Sequence, residues 1–346
     1  MAACYLAVIF RHHTGLEIEP AILGLALTFL IQLAGLFQWT VRQSAEAENQ
    51  LISVERILEF AGLDAEKNLD TIEPPLEVLE VDEEWPKEGG IIFENVKAKY
   101  RPTLDYALKG ISFEIKGGEK VGVVGRTGSG KSTLLQCIMR LPDVVEGLMS
   151  VDGTDTARVP LRTFRKKFAV IPQTPTLFNV SLRDNLDPFA EFDEIQIWKA
   201  LETVQMKDVI EGLGEGLDFM LSSGGGNFSV GQRQLLCLSR AILTKSKVLI
   251  MDESAANVDQ LTDTKLQEAV KTVFAGSTVI SIAHRLESIV EYDKILVLGA
   301  GEVLEYGAPA ELLNDKEGAF FGMVQETGKE TSAELHRRAK LGRGEK

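Results

Sequence analysis

The chain has 346 residues, of which 45% are hydrophobic and 25% are charged, so it can form a packed core and wholesale disorder is excluded. Its net charge of −14 argues against a general nucleic-acid binder. Its three cysteines are too few and too scattered for a disulfide framework or a zinc site. At roughly 100–200 residues per domain, this length allows one large domain or two.

The N-terminal part predicts a helix that spans a membrane. Residues 20–41 carry no charged side chain, and a helix of about 22 residues is roughly 33 Å long, against about 30 Å for the bilayer core. Trp39 and Arg42 close this segment with the aromatic and basic residues that are typical of a membrane interface. A buried helix of a soluble protein is the alternative interpretation.

The helical pattern continues beyond this apolar segment. Residues 43–60 are rich in helix formers and contain no glycine or proline. A continuous helix from about Ala21 to Phe60 would be roughly 60 Å long, so half of it must project into water. We therefore assign residues 1–63 to the end of a transmembrane domain, with a span at 20–41 and a cytoplasmic extension at 42–62.

An acidic segment at residues 64–90 separates this helix from the rest of the chain. Between Asp64 and Glu88 there are ten acidic residues, two lysines and three prolines. Such a composition is typical of a solvated linker. A domain of residues 91–327 and a basic tail at 328–346 are expected to follow it. Within the tail, residues 336–346 are expected to be disordered and solvated, with contact to anionic lipid as the alternative.

From Ile91 onward, short β-type runs alternate with helical ones, which predicts an α/β sheet with substantial parallel content. The strands are expected in IIFENV, VGVVG, FAVIP, KVLIMD, STVISI and KILVLG. The helices are expected after Lys131, Gly231, Thr262 and Pro309.

A phosphate-binding loop is predicted between the strand KVGVVG and the helix KSTLLQCIMR, where the chain matches G-x-x-x-x-G-K-[ST]. Glycines let successive backbone N–H groups turn toward phosphate oxygens, and the helix N-terminus adds partial positive charge. Lys131 is expected to reach the β- and γ-phosphates, and Ser132 to bind Mg²⁺. The residues assigned to this loop are Gly125, Arg126, Thr127, Gly128, Ser129, Gly130, Lys131, Ser132 and Thr133.

A second motif ends the apolar strand KVLIMD with two carboxylates, Asp252 and Glu253. Open α/β sheets bind ligands at the carboxyl ends of their strands. Asp252 is expected to hold Mg²⁺ and Glu253 to polarise the attacking water. The pair is common after apolar strands, but downstream of a phosphate-binding loop it is specific to nucleotide hydrolases.

Further residues indicate which class of nucleotide hydrolase this is. They are Tyr100, 25 residues before Gly125, then Gln173, the run Ser229-Val230-Gly231-Gln232, Asp259 and His284. With the two motifs above, and in this order, they resemble an ATP-binding cassette (ABC) domain over about Ile91 to Val324. The order matches its Walker A, Q-loop, signature, Walker B, D-loop and H-loop.

The resemblance implies roles for these residues and a need for a partner. It implies that Tyr100 stacks on adenine, that Gln173 contacts Mg²⁺ and water, and that His284 contacts the γ-phosphate. The signature residues Ser229, Val230, Gly231 and Gln232, together with Asp259, are implied in nucleotide binding. The signature would cap the ATP of an opposite domain, so a second ABC domain, in cis or in trans, is an expected partner.

Nearly the whole chain also resembles the second nucleotide-binding domain of C-subfamily ABC transporters, the multidrug-resistance-associated type. The segments FQWTVRQSAEAENQLISVERILEF, YRPTLDYALKGISFEI, FNVSLRDNLDP and NFSVGQRQLLCLSRAIL carry this likeness. Two positions depart from the common ABC pattern. Val230 replaces a glycine of the signature, where a side chain would crowd a phosphate, and Ser254 stands where alanine is expected.

The hypothesis is the last transmembrane helix and ATPase domain of a membrane exporter of organic anions, conjugates or drugs. It implies ATP and Mg²⁺ as ligands, membrane lipid and further transmembrane domains as partners, no nucleic acid, and a cytosolic ATPase domain. One span and one ATPase domain suggest an incomplete exporter with weak or no turnover alone. The alternatives are a nucleotide-sensing domain of a channel complex and a soluble ABC ATPase.

Overall fold

A computed structural model divides the chain into two compact units, Met1–Glu66 and Lys67–Lys346. The described residues are 5, 9, 13, 19–63, 79–101, 103–252, 260–283 and 285–341. Three site candidates, Glu253, Asp259 and His284, therefore lie outside the described residues, as do residues 64–78 of the acidic segment and residues 342–346 of the tail.

The described part of the first unit contains a long helix, α1, from Pro20 to Ala61. Its 42 residues correspond to about 63 Å, so the predicted continuous helix is confirmed. By length and composition it is apolar enough to cross a membrane. The hydroxyl groups of Thr28 and Thr40 each donate to the carbonyl oxygen four residues earlier at 2.9 Å, which satisfies them inside the helix.

The second unit is built on two β-sheets. Its strands are β1 (Ile91–Lys99), β2 (Leu108–Ile115), β3 (Lys120–Val124), β4 (Asp143–Val151), β5 (Thr154–Asp155), β6 (Phe168–Ile171), β7 (Val248–Asp252), β8 (Thr278–Ile282), β9 (Lys294–Gly299) and β10 (Glu302–Gly307). The larger sheet has the order β10-β9-β3-β8-β7-β6; β9, β3, β8, β7 and β6 are parallel, and β10 pairs with β9 antiparallel. The smaller sheet, β2-β1-β4-β5, is antiparallel. The six predicted strands and the parallel sheet are thus confirmed.

Helices cover both faces of the larger sheet. They are α2 (Lys131–Ile138), α3 (Leu161–Lys166), α4 (Leu182–Leu186), α5 (Glu194–Thr203), α6 (Lys207–Glu211), α7 (Val230–Thr244), α8 (Gln260–Val273), α9 (Leu286–Ile289), α10 (Pro309–Leu312), α11 (Ala319–Glu326) and α12 (Lys329–Leu341). Alternate residues of β7 divide between two cores, as expected of a strand buried on both faces. Val248 and Ile250 pack with α2 and the smaller sheet, whereas Leu249 and Met251 pack with α5, α7 and α8.

The expectation of disorder at 336–346 is wrong for residues 336–341, which are helical. Residues 329–341 form α12, in which Ser332, Leu335 and Ala339 are buried. These residues recur at helical spacing and therefore share one face of the helix. Leu335 and Ala339 join Phe320 and Val324 of α11 in a third apolar core. The many charged residues of the segment occupy the other faces, which is why composition suggested a solvated tail.

The expected linker at 64–90 is also too long, because the ATPase unit begins before Ile91. Trp85 is 7% exposed, and its indole N–H donates to the Val151 carbonyl oxygen at 3.3 Å. The Asp152 carboxylate accepts the backbone N–H groups of Glu88, Gly89 and Gly90 at 2.7–3.2 Å. Because acidic residues surround Trp85, the composition of this segment did not indicate that it packs against the smaller sheet.

Candidate nucleotide-binding site

The loop between β3 and α2 has the backbone shape of a phosphate-binding loop. Gly125, Gly128 and Gly130 have φ angles of 153°, 81° and 102°, which residues with a side chain rarely adopt. A Cβ at Gly125 would lie 2.3 Å from the carbonyl oxygen of Leu298, so the loop folds directly against the end of β9. A Cβ at Gly128 would meet nothing within 4 Å. The loop is therefore anchored on one side and open on the other.

The ammonium group of Lys131 lies over this loop. Nζ donates to the carbonyl oxygens of Gly125 and Arg126 at 2.7 and 2.9 Å, and Arg126 and Thr127 are exposed. Burial lowers the pKa of Lys131, and the negative charge of Asp252 opposes that shift. Phosphate oxygens form stronger, charge-assisted bonds than neutral carbonyls, so this lysine is placed to exchange its present partners for a phosphate.

Two features of the loop suit an anion. The Ser129 hydroxyl is buried and has no hydrogen-bond partner among the described residues, which is costly. Gly130, which precedes α2, offers no side chain to cap the first N–H groups of that helix, and such an N-terminus attracts anions. Ser132, exposed, and Thr133, buried, follow in the first turn. The loop therefore fits a nucleotide phosphate.

The carboxyl ends of the parallel strands bring two further candidates to the same edge of the sheet. Ile171 of β6 is opposite Met251, and Asp252 of β7 is opposite Ile282 of β8. Asp252 is half-buried, while Gln173, two residues beyond the end of β6, is exposed. The electrostatic effect of Asp252 on Lys131 connects this edge to the phosphate-binding loop.

The oxygen atoms at this edge fit Mg²⁺. Ser132, Gln173 and Asp252 supply a hydroxyl, an amide and a carboxylate oxygen, which are the ligands that Mg²⁺ takes. Among the described residues, no group of three or more His, Cys, Asp or Glu side chains forms a metal cluster.

Tyr100 stands beside the first turns of α2. Its hydroxyl contacts Oγ1 of Thr133 at 2.9 Å and donates to Oε1 of Gln136 at 2.7 Å. The residue is nevertheless 51% exposed. The hydroxyl is thus anchored next to the phosphate-binding loop while the ring remains accessible, as adenine stacking requires. Sequence reasoning missed Gln136, because nothing in the local motif identifies it.

The signature residues form a self-contained cap at the N-terminus of α7. Oγ of Ser229 accepts from the Gln232 N–H at 3.2 Å, and Oε1 of Gln232 accepts from the Ser229 N–H at 2.9 Å. This capping box uses acceptor atoms of both side chains. It leaves the hydroxyl proton of Ser229 and the amide protons of Gln232 outside the cap, and these donors are what a phosphate needs.

Gly231 has a packing role that the sequence did not reveal. It is buried, and a Cβ there would lie 2.7 Å from Cγ2 of Thr262 in α8. Val230 beside it is half-buried at the first position of α7. The glycine is thus required by the close approach of two helices, whatever it contributes to a ligand. Thr262 was missed because the contact joins distant parts of the chain.

The chain matches the ABC transporter family model over residues 108–256. It is 47% identical over 317 residues to ATP-binding cassette sub-family C member 4 of Homo sapiens, an alignment that covers 92% of this chain and 23% of that protein. It is 44% identical over 323 residues to sub-family C member 2 of Rattus norvegicus, covering 93% and 20%. Metal resistance protein YCF1 of Saccharomyces cerevisiae is 41% identical over 323 residues, covering 92% and 21%.

These alignments include almost all of this chain but only 20–23% of the length of those relatives. Among solved structures, a bacterial Atm1-family ABC exporter with ATP bound superposes with a TM-score of 0.72 and 28% identity, covering 82% of this chain and 48% of that one. The predicted mixed α/β fold and the predicted family are both confirmed. The chain therefore carries an ABC transporter domain and is similar to C-subfamily members of that family.

Proposed function

We propose that the second unit binds and hydrolyses ATP as the motor domain of a membrane exporter. The observation that carries the proposal is the anchored, open glycine loop with the uncapped N-terminus of α2. Lys131, on the same loop, is electrostatically coupled to Asp252 at the end of β7. The loop would hold the phosphates, and the exposed ring of Tyr100 would hold the base.

In this proposal each side chain has a defined task. Lys131 neutralises charge on the β- and γ-phosphates. Ser132, Gln173 and Asp252 would hold Mg²⁺, which would supply positive charge next to the phosphate oxygens. Glu253, which directly follows Asp252, accepts a proton from the attacking water, and His284 orients the γ-phosphate. Catalysis then rests mainly on positioning and charge stabilisation.

The signature of α7 acts on a second site. Ser229 and Gln232 keep donor protons outside their capping box, and they would cap ATP held by another ABC domain, with Asp259 also taking part in nucleotide binding. A second ABC domain, in cis or in trans, would in return supply the signature for this chain's own site. Val230 would make the site that it caps the weaker of the two.

Helix α1 supports a membrane location for this motor. It is long and apolar enough to span a bilayer, and it continues for several turns beyond the apolar segment. We infer that residues 20–41 lie in lipid, that the ATPase unit is cytosolic, and that other transmembrane domains form the translocation path. The resemblance of the sequence to C-subfamily exporters implies organic anions, conjugates or drugs as the cargo.

The test is ATP binding and turnover by the detergent-solubilised full chain over a range of protein concentrations. Wild type is compared with Lys131→Ala, with Glu253→Gln, and with Glu268→Gln, an exposed acid on α8 that serves as the matched control. We expect binding to be lost in Lys131→Ala. Turnover should be lost in Glu253→Gln and unchanged in Glu268→Gln, and it should rise more than linearly with concentration as two chains pair.

Two results would overturn the proposal. One is a wild-type chain that binds no ATP, and the other is turnover that survives Glu253→Gln. Binding without turnover at every concentration would instead assign the facing signature to a different domain. Adding that domain should then restore hydrolysis that depends on Glu253.

A further inference from the structure

Charged side chains connect helix α12 to residues 286–292, which begin two positions after residue 284. We call these residues, which comprise α9 and the three residues after it, the α9 segment. Arg338 of α12 donates from Nε to Oε1 of Glu291 at 2.8 Å, and from Nη2 to the backbone carbonyl of Glu287 at 2.9 Å. One guanidinium therefore holds two points of the α9 segment.

Glu291 joins a third helix to this contact. Its second carboxylate oxygen accepts from Nζ of Lys271 in α8 at 2.7 Å. Burial raises the pKa of Glu291, but the bonds from Lys271 and Arg338 outweigh that effect and hold the pKa below its usual range. The two oxygens of the charged Glu291 carboxylate thus accept hydrogen bonds from two different helices, α12 and α8. A second link joins Arg285 to Asp263 of α8 at 3.6 Å.

The α9 segment also rests directly on the strand that leads into the phosphate-binding loop. Ile289 is fully buried in the apolar core that contains Leu335 and Ala339 of α12. A Cβ at Gly122 of β3 would lie 2.8 Å from the Ile289 side chain, so the two elements are in the closest packing that glycine permits. Any shift of α9 therefore changes its contact with β3.

We propose that Arg338 is a positioning residue for the nucleotide site. It holds the α9 segment, and with it the chain that leaves position 284, against β3 and α8. Its effect on turnover rests on the proposed function, whereas the tie between the helices does not. In this view α12 is a working part of the ATPase unit, and residues 329–341 are needed for the geometry of a site formed by residues far upstream.

The first test is amide hydrogen exchange of the full chain in detergent without nucleotide. Arg338→Ala is compared with Arg337→Ala, a matched control because Arg337 is exposed and pairs within α12 with Glu334. We expect amides of residues 286–292 to exchange about tenfold faster in Arg338→Ala, because two charge-assisted bonds are lost, and to be unchanged in Arg337→Ala. Equal exchange in the two variants would overturn the proposal.

Two further variants separate positioning from loss of the helix. Glu291→Gln weakens the contact from the other side and leaves α12 itself intact, so it should raise exchange in 286–292 but not in 329–341. Arg338→Lys keeps the charge and should restore part of the protection. If Glu291→Gln left residues 286–292 protected, the tie would not position this segment.

Turnover gives a readout that depends on the proposed function. If the chain, alone or with a partner domain, hydrolyses ATP, Arg338→Ala should lower kcat about tenfold, because a positioning loss acts on the reacting geometry. KM should stay within about twofold, and Arg337→Ala should change neither constant. A chain without turnover leaves the exchange experiment unaffected, so failure of the two proposals can be distinguished. An unchanged kcat together with faster exchange would overturn the positioning role.

Discussion

Two glycines of the phosphate-binding loop have opposite surroundings and form a matched pair for mutation. Gly125→Ala would place a Cβ 2.3 Å from the Leu298 carbonyl oxygen and 2.6 Å from Oγ of Ser129, whereas Gly128→Ala would place it in open space. Both positions have positive φ angles. We expect Gly125→Ala to damage the fold. Gly128→Ala should leave the fold largely intact and fill space that a phosphate needs.

The size of each effect follows from these contacts. Positive φ costs about 1–3 kcal/mol for alanine at either position. The clash at Gly125 involves a backbone carbonyl, which no side-chain rotation relieves, and overpacking of this kind adds about 1–3 kcal/mol. Since a domain of about 150–250 residues loses roughly 2–4 °C of Tm per kcal/mol, Gly125→Ala should melt about 2–12 °C below Gly128→Ala.

The assay is thermal unfolding of the full chain with and without ATP. At about 100 times its Kd, ATP should stabilise the wild type by about 2.7 kcal/mol. Gly128→Ala should lose most of that gain, although its Tm without ATP stays above that of Gly125→Ala. If Gly128→Ala kept the full ATP-dependent rise in Tm, the open side of the loop would not be the phosphate side. If both variants melted at the same temperature without ATP, the anchoring at Leu298 would be refuted.

Three other experiments test separate features of the structure. Gly231→Ala should lower the Tm because its Cβ would lie 2.7 Å from Cγ2 of Thr262. Adding Thr262→Ala should restore most of the lost Tm. If the double variant melted no higher than Gly231→Ala, the packing role would be refuted. Tyr100→Phe keeps the exposed ring and should bind fluorescent ATP nearly as the wild type does, whereas Tyr100→Ala should lose about 1–3 kcal/mol of binding free energy from stacking. Equal losses of binding free energy in the two variants would contradict stacking. Cys137 and Cys237 are buried, and burial raises both thiol pKa values, that of Cys137 to about 12. Peptide mapping after maleimide treatment at pH 7 should therefore find both cysteines unlabelled until urea unfolds the chain.

The sequence predicted the parallel strands well because each is a continuous apolar run. β7, for example, is buried on both faces and reads VLIMD. The antiparallel strand β4 was missed for a physical reason. It contains Gly147 at a φ of 91°, where a Cβ would lie 2.3 Å from the carbonyl oxygen of Asn95. A glycine inside a strand weakens the local signal, yet here it permits a bulge against β1.

The same distinction applies to the candidate site. The loop geometry at Gly125 and Lys131 was predictable because it depends on a short run of neighbouring residues. Other contacts around the candidate site join residues far apart in sequence, such as Gly231 with Thr262 and Arg338 with Glu291. No local pattern identifies such pairs, since each residue alone is unremarkable in its own segment.

The phosphate-binding loop and the signature are attached to different elements of the fold. The phosphate-binding loop, Gln173 and Asp252 extend from strands whose spacing is set by backbone hydrogen bonds within one parallel sheet. The signature instead begins α7, which packs through side chains in the core with α5 and α8. Because a hydrogen-bonded sheet resists distortion more than helix packing does, we expect ATP to leave the loop fixed. Movement should then be confined to α7 and its contact with α8, where Gly231 meets Thr262.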